Sequence, residues 1–159
     1  MLRLASMVHD SGMILMCRST KIPSLVPNRL AAGLLDTSVV IDLDIIDAEL
    51  LPLTVGVSAI TMAELGAGPA ATTDPAERAR RQDRLQRAEA AFEAIPFGSE
   101  AARAYTRVYA AVVATGRQPR SRFADLLIAA TAMAEELPLI TRNPNDFQGL
   151  DDLVRVVAV

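Results

Sequence analysis

Short apolar runs alternate with helix-forming segments from Gly33 onward, and this alternation restricts the fold more than any other feature of the sequence. Four runs are typical of buried strands, with a brief fifth at 95–98; the four cover residues 33–36, 54–60, 138–141 and 153–159. Strands separated by helices favour a largely parallel sheet covered on both faces. The pattern therefore predicts an α/β domain, and ligands of such domains gather where the strands end.

Five segments carry helical signals. They cover residues 37–49, 61–68, 72–94, 99–116 and 123–137. The third begins with Asp74 before Pro75, which predicts a capping carboxylate followed by proline at the first helical position. Thr37 or Ser38 is expected near the cap of the first, and Pro52 follows that helix.

Residues 1–32 differ from the rest of the chain. They hold four of the six methionines and show no sustained hydrophobic period. Asp10 and Gly12 interrupt their apolar stretch, which argues against a secretory signal. We expect an N-terminal extension outside the fold, or a start codon assigned too far upstream, and a single domain over residues 33–159.

Composition excludes several classes of site. The only cysteine, Cys17, rules out an intramolecular disulfide and a cysteine metal cage, and the only histidine, His9, lies in the N-terminal segment. Mechanisms that need a histidine base are therefore disfavoured. No apolar run approaches the length of a membrane span, so we expect a cytoplasmic protein without membrane association.

The charge is slightly acidic, with a formal net charge of −3, yet fifteen of the sixteen cations are arginines. The arginine bias either reflects genome base composition or supplies bidentate contacts to phosphate. The overall charge alone would disfavour a nucleic-acid binder, but the distribution of charge matters more than its sum.

Four acids interrupt apolar contexts next to the predicted strands. They are Asp36, Glu64, Asp125 and Asp146. If the fold brings them to one sheet edge, clustered carboxylates without histidine or cysteine favour Mg²⁺ or Mn²⁺. A divalent cation would offset the charge of Asp36, whose ionised form is disfavoured at the end of a buried strand.

Each acid also has a local structural interpretation. Asp36 is placed to cap a helix, Glu64 and Asp125 lie near helix N-termini where the dipole favours them, and Asp146 lies in a turn. Four separate explanations are less economical than one site, but spacing alone does not decide between them.

Four motifs in order, "LLDTSVVID", "SAITMAELGAG", "RFADLLIAATA" and "LPLITRNPNDFQGL", closely resemble the PIN-domain family, and within it the VapC-type ribonuclease toxins of toxin–antitoxin pairs. The resemblance covers about residues 33 to 159. It implies a three-layer α/β/α sandwich with a small, mostly parallel sheet. It also implies Mg²⁺- or Mn²⁺-dependent endonucleolytic cleavage of RNA, a VapB-like antitoxin as partner, and homodimerisation.

The resemblance assigns the acids as metal ligands and catalytic residues: Asp36 first, then Glu64 and Asp125, with Asp146 favoured over Asn143 as the fourth, since a carboxylate binds Mg²⁺ better than an amide. The small polar residues Thr37, Ser38 and Thr141, with Asn143, are expected to hydrogen-bond the ligands or orient water. In the family the first and third acids are the firmest ligands.

Four arginines near the predicted site are candidate RNA contacts: Arg117, Arg120, Arg122 and Arg142. They would grip phosphates leading into the site. They would equally serve as loop cations that balance an acidic pocket. The arginines of the segment 77–87 are predicted to form a solvated helix face with pairs such as Glu77–Arg81.

Two other classes stay open. A haloacid-dehalogenase-like phosphatase also uses an aspartate at a strand end, but it requires a second aspartate two residues later, where this chain has Ser38. A non-catalytic PIN-like binding module would usually have lost acids that this chain keeps. The sequence does not identify the RNA target.

Overall fold

The computed structural model describes residues 29–159, without the side chain of Arg120. In this part of the chain, four parallel strands form one sheet in the order β2-β1-β3-β4. The strands are β1 (Ala32–Leu35), β2 (Thr54–Val57), β3 (Leu139–Thr141) and β4 (Val156–Ala158). The N-terminal segment 1–28, with His9 and Cys17, lies outside the described residues.

The register aligns the carboxyl ends of the three neighbouring strands. Leu35 pairs with Val57 on one side and with Ile140 on the other. The residues that follow, Asp36 and Thr141 among them, therefore meet at one edge of the sheet, which is where ligands bind in open parallel sheets.

Five helices pack on the sheet within residues 29–159. They are α1 (Thr37–Ile41), α2 (Ala59–Ala67), α3 (Pro75–Ala91), α4 (Ser99–Ala114) and α5 (Phe123–Ala134). Short 3₁₀ turns cover Ala48–Leu50, Gly68–Ala71, Pro119–Arg122 and Pro144–Phe147. None of the helices found in this part of the chain is both long enough and apolar enough to cross a membrane.

Two cores lie on opposite faces of the sheet, because successive strand side chains alternate in direction. Leu34 and Leu139 pack with α4 and α5 in one core. Leu35 and Ile140 pack with α1, α2 and α3 in the other. The predicted three-layer α/β/α sandwich with a parallel sheet is confirmed.

Local boundaries differ from those predicted. The first helix ends at Ile41 rather than continuing to residue 49, because aspartates are poor helix-interior residues and Asp47 instead accepts a hydrogen bond from the backbone N–H of Glu49. The predicted strand at 95–98 reduces to one parallel bridge between Ile95 and Ser58. The second strand ends at Val57 because Ser58 caps α2.

The folded part of the chain includes a few residues before Gly33. Arg29 donates hydrogen bonds to the carbonyls of Leu51 and Ala48, and the carbonyl of Leu30 accepts from the N–H of Leu53. These contacts extend β1–β2 pairing toward the N-terminus.

Candidate active site

Asp36 lies directly after β1 and is buried, with 5% of its surface exposed. It occupies the position that caps α1, yet its side chain makes no capping hydrogen bond. The hydroxyls of Ser38 and Thr141 donate to Asp36 Oδ2 instead, at 2.7 and 2.8 Å. Both hydrogen bonds go to Oδ2, so neither hydroxyl donates to the other carboxylate oxygen of Asp36. A helix cap is therefore not the role of this carboxylate.

The two hydroxyls are themselves fixed by backbone donors. The N–H of Arg142 donates to Ser38 Oγ at 3.2 Å, and the N–H of Asn143 donates to Thr141 Oγ1 at 3.0 Å. Each hydroxyl oxygen thus accepts one backbone hydrogen bond, and its proton is donated to the carboxylate of Asp36, which acts only as an acceptor when ionised. The predicted positioning role of Ser38 and Thr141 thus has a visible geometry.

Glu64 approaches the same edge from α2. The helix begins at Ala59, so Glu64 lies beyond the first turn, where the helix dipole is weak. Its Oε2 accepts a 2.5 Å hydrogen bond from Thr37 Oγ1. This contact joins the residue after Asp36 to the second acid.

Asp125 is in the first turn of α5, and its pKa is raised from 3.8 to about 6. Burial is the largest cause, and the negative charges of Asp36, Asp146 and Glu64 add to it, while Arg122 opposes the shift. The fold therefore brings all four predicted acids into one electrostatic environment, although they come from four separate elements.

Asp146 lies in the 3₁₀ turn Pro144–Phe147 and forms an ion pair with Arg122. Both side chains are about one third exposed. Asn143, the alternative fourth residue, is exposed, and its backbone N–H bonds Thr141. The choice between Asp146 and Asn143 as a ligand stays a prediction.

The candidate RNA-binding arginines contact the chain itself. Arg117 donates to the carbonyls of Gln148 and Asn145 at 3.4 and 3.2 Å, and Arg142 pairs with Asp42. Arg122 lines a cavity of about 290 Å³ together with Arg117 and Asp146. Arg122 therefore balances the charge of Asp146 in this structure. The side chain of Arg120 lies outside the described part of the structure.

The donor set fits a hard divalent cation by its chemistry, since every candidate ligand atom is an oxygen. Among residues 29–159, however, no three acidic, histidine or cysteine side chains are close enough together to hold a metal ion. Binding of such an ion by these residues would therefore need side-chain movement, for example release of Asp146 from its ion pair with Arg122.

Sequence reasoning missed the arginines of α3. Arg81 and Arg84 line a cavity of about 400 Å³ that also borders Thr37 and Glu64. They lie one turn before Leu85 and Ala88, which pack in the core. Their position beside the buried stripe was the available signal, but the density of charge in this helix favoured a solvated face.

Comparison with known proteins places these features in a family. The PIN domain family matches residues 33–153. Ribonuclease VapC5 of Mycobacterium tuberculosis (strain ATCC 25618 / H37Rv) is 40% identical over 131 residues, which span 79% of this chain and 93% of that protein.

Solved structures agree with this match. A member of the VapBC family of toxin–antitoxin systems, VapBC-5 from Mycobacterium tuberculosis, superposes with a TM-score of 0.72 at 37% identity, covering 81% of this chain and 99% of the other. FitAcB from Neisseria gonorrhoeae superposes with a TM-score of 0.58 at 29% identity, covering 77% and 94%. The similarity extends over nearly the whole of each relative.

Proposed function

The chain belongs to the PIN-domain family, and from this premise we propose that it is a metal-dependent endoribonuclease, the toxin of a VapBC-type toxin–antitoxin pair. The observation that carries the proposal is the buried carboxylate of Asp36, held by two hydroxyls at the strand edge. The relative named Ribonuclease VapC5 supports RNA as the substrate.

In the proposed site Asp36 and Asp125 hold Mg²⁺, or Mn²⁺, with help from Glu64 and Asp146. A cation held by these residues would supply Lewis acidity and would make water a better nucleophile for hydrolysis of a phosphodiester. Ser38 and Thr141 fix the orientation of Asp36. Fixed ligands cost little reorganisation as charge develops on the phosphate.

A carboxylate oxygen is the available acceptor for the proton of the attacking water, because the described residues contain no histidine. Glu64 is held by Thr37 through Oε2, so its other oxygen is not committed to that contact. Asp146 becomes available as a metal ligand when Arg122 leaves it and contacts a phosphate of the substrate instead. In this proposal Arg117, Arg120, Arg122 and Arg142 contact RNA phosphates.

We assign an antitoxin to the apolar groove between α1 and α3, of about 160 Å³, lined by Val40, Leu43, Ala88 and Phe92 among others. The solved structure of VapBC-5 is of a toxin–antitoxin system.

The exposed Tyr109 and Phe123, which both lie about 6 Å from the ring of Tyr105, form an apolar surface suited to a homodimer.

A non-catalytic binding module is the second candidate. It is favoured by one observation, that no three acids in residues 29–159 stand together as a ready metal site. The haloacid-dehalogenase mechanism has no support, because Ser38 stands where its second aspartate belongs and is hydrogen-bonded to Asp36.

Purified protein should be incubated with total cellular RNA in Mg²⁺, in Mn²⁺ and in EDTA, beside the Asp36→Asn variant. Discrete cuts that require both metal and Asp36 are expected, with the far-ultraviolet circular dichroism of the variant unchanged. Cuts that persist in EDTA or in folded Asp36→Asn would contradict the proposed site. RNA binding without cleavage, in metal, would instead favour the module.

A further inference from the structure

The cavity of about 400 Å³ beside Glu64 has a wall that the proposed reaction does not use. Thr37 and Glu64 line one side, and Glu77, Arg81 and Arg84 of α3 line the other. Its volume lies within the ~300–1,000 Å³ of sites that bind small ligands. The cavity therefore has room for part of a substrate next to the carboxylates.

Two charges of this wall are already neutralised. Arg81 Nε donates to Glu77 at 2.8 Å, and its Nη1 donates to the carbonyl of Gly68 at 3.0 Å. Arg80 binds the other oxygen of Glu77 at 2.9 Å. The hydrogen bond from Arg81, then that from Arg80, holds the pKa of Glu77 below its usual value. Glu77 therefore stays ionised and paired with Arg80 and Arg81, so Arg84 is not required to neutralise its charge.

Arg84 is the uncommitted cation. Its side chain is half-buried, and it forms no hydrogen bond or ion pair with another residue in the range 29–159. It lines both the cavity beside Glu64 and the adjoining apolar groove. A guanidinium that is partly removed from water without an acceptor is costly, so an anionic ligand at this place would be stabilised.

We propose that Arg84 holds a phosphate of the RNA strand adjacent to the phosphate that is cleaved, so that the cavity is a substrate-positioning subsite. The inference rests on the proposed nuclease function. A strand cut at the carboxylates must continue past them, and this cavity opens directly beside Glu64. Arginine matches phosphate through two parallel N–H donors.

We take the occupant to be RNA rather than a carboxylate of a protein partner because Arg84, which also lines the apolar groove, lines the cavity that contains Glu64 and Thr37, where the substrate has to lie. The apolar groove is also lined by Arg87, which forms ion pairs with Asp44 and with Asp83. Among the arginines that line the two cavities, Arg84 is thus the one without an acceptor in residues 29–159.

The test is the affinity for a short, fluorescein-labelled RNA of mixed sequence, measured by anisotropy with Ca²⁺ in place of Mg²⁺ to slow cleavage. Arg84→Gln should raise Kd about tenfold, as expected for one charge-assisted contact. The slope of log K against log salt should become shallower by roughly 0.7, the loss of one phosphate contact to a single strand. Arg84→Lys should recover part of the affinity.

Arg107→Gln is the matched control, since Arg107 is exposed on α4 and lines neither cavity. Its Kd should equal that of the wild type. Equal affinities for Arg84→Gln and wild type would overturn the inference, as would equal losses in both variants. A loss confined to binding of the antitoxin would overturn it in favour of a partner carboxylate.

The result is separable from the nuclease proposal. Cleavage of total RNA by the wild type, scored in parallel, reports on the proposed function alone. Cleavage with the same KM in wild type and Arg84→Gln would contradict the proposed subsite but would leave the proposed nuclease activity supported. A raised KM with little change in kcat is the expected signature of a positioning residue.

Discussion

At the scale of single residues, the site depends on small hydroxyl side chains as much as on acids. Asp36 is buried at a strand end, where the hydroxyls of Ser38 and Thr141 donate hydrogen bonds to it. Thr141 also receives the backbone N–H of Asn143. One hydroxyl thus connects β1, β3 and the turn that carries Asp146.

Replacing Thr141 with valine keeps the shape but removes both hydrogen bonds. We expect a loss of about 1–3 kcal/mol in the free energy of unfolding, because buried polar partners are left unpaired, and a fall in RNA cleavage. Urea unfolding and cleavage rates measure the two effects. Thr131→Val is the control, since Thr131 is equally buried but bonds only the carbonyl of Leu127. Equal activity in the two variants would contradict a role for Thr141 at Asp36.

Asp125 gives a pH dependence of known sign in metal-free protein. Its pKa is raised in the folded state to about 6, from 3.8, so the folded state binds this proton more tightly than the unfolded state does. The associated stability is complete below about pH 4 and is lost as pH rises to about 6. Asparagine does not titrate in this range, so Asp125→Asn removes this contribution to the pH dependence of stability.

In EDTA, the melting temperature of Asp125→Asn relative to wild type should therefore be higher at about pH 7 than at about pH 4. Asp152→Asn, in an exposed turn, supplies the control and should show little change between the two pH values. A difference between Asp125→Asn and wild type that is the same at both pH values would show that the carboxyl is not electrostatically strained.

At the scale of elements, the parts of the chain with strong local signals were predictable. Asp74 accepts a hydrogen bond from the N–H of Ala76 and caps α3 with Pro75 after it, as its sequence indicates. The end of α1 was not predictable, because Leu43, Ile45 and Ile46 continue its apolar pattern, while the local turns at Asp42 and Asp47 decide the backbone.

Two glycines with positive φ lie next to the C-terminal end of α4, and substitutions there separate the cost of backbone strain from the cost of a steric clash. Gly116 has φ +77°, and a methyl group added to it would meet open space, whereas Gly149 has φ +88° and would place Cβ 2.6 Å from Thr115 Cγ2. We expect Gly116→Ala to cost about 1 kcal/mol from the backbone alone. Gly149→Ala should cost about 2–4 kcal/mol, because a steric clash is added. Equal costs by urea unfolding would show that the contact relaxes freely.

At the scale of the whole molecule, the family and the three-layer fold were predictable from four motifs and the alternation of elements, and the comparisons confirm both. The convergence of Asp36, Glu64, Asp125 and Asp146 on one metal site was predicted from strand ends and stays a prediction, although the charges of the other three acids contribute to the raised pKa of Asp125. The pairing of Arg122 with Asp146 and the lack of a partner for Arg84 within residues 29–159 were not predictable, because they depend on distances between separate elements that no local pattern encodes.

The central claim is that acids from different elements share one divalent cation, and Mn²⁺ binding tests it most directly. Titration followed by electron paramagnetic resonance should show a bound ion in the wild type. Asp36→Asn and Asp125→Asn should each weaken its affinity about tenfold or more, while Asp152→Asn leaves it unchanged. An affinity for Mn²⁺ that is the same in all four proteins would contradict the account.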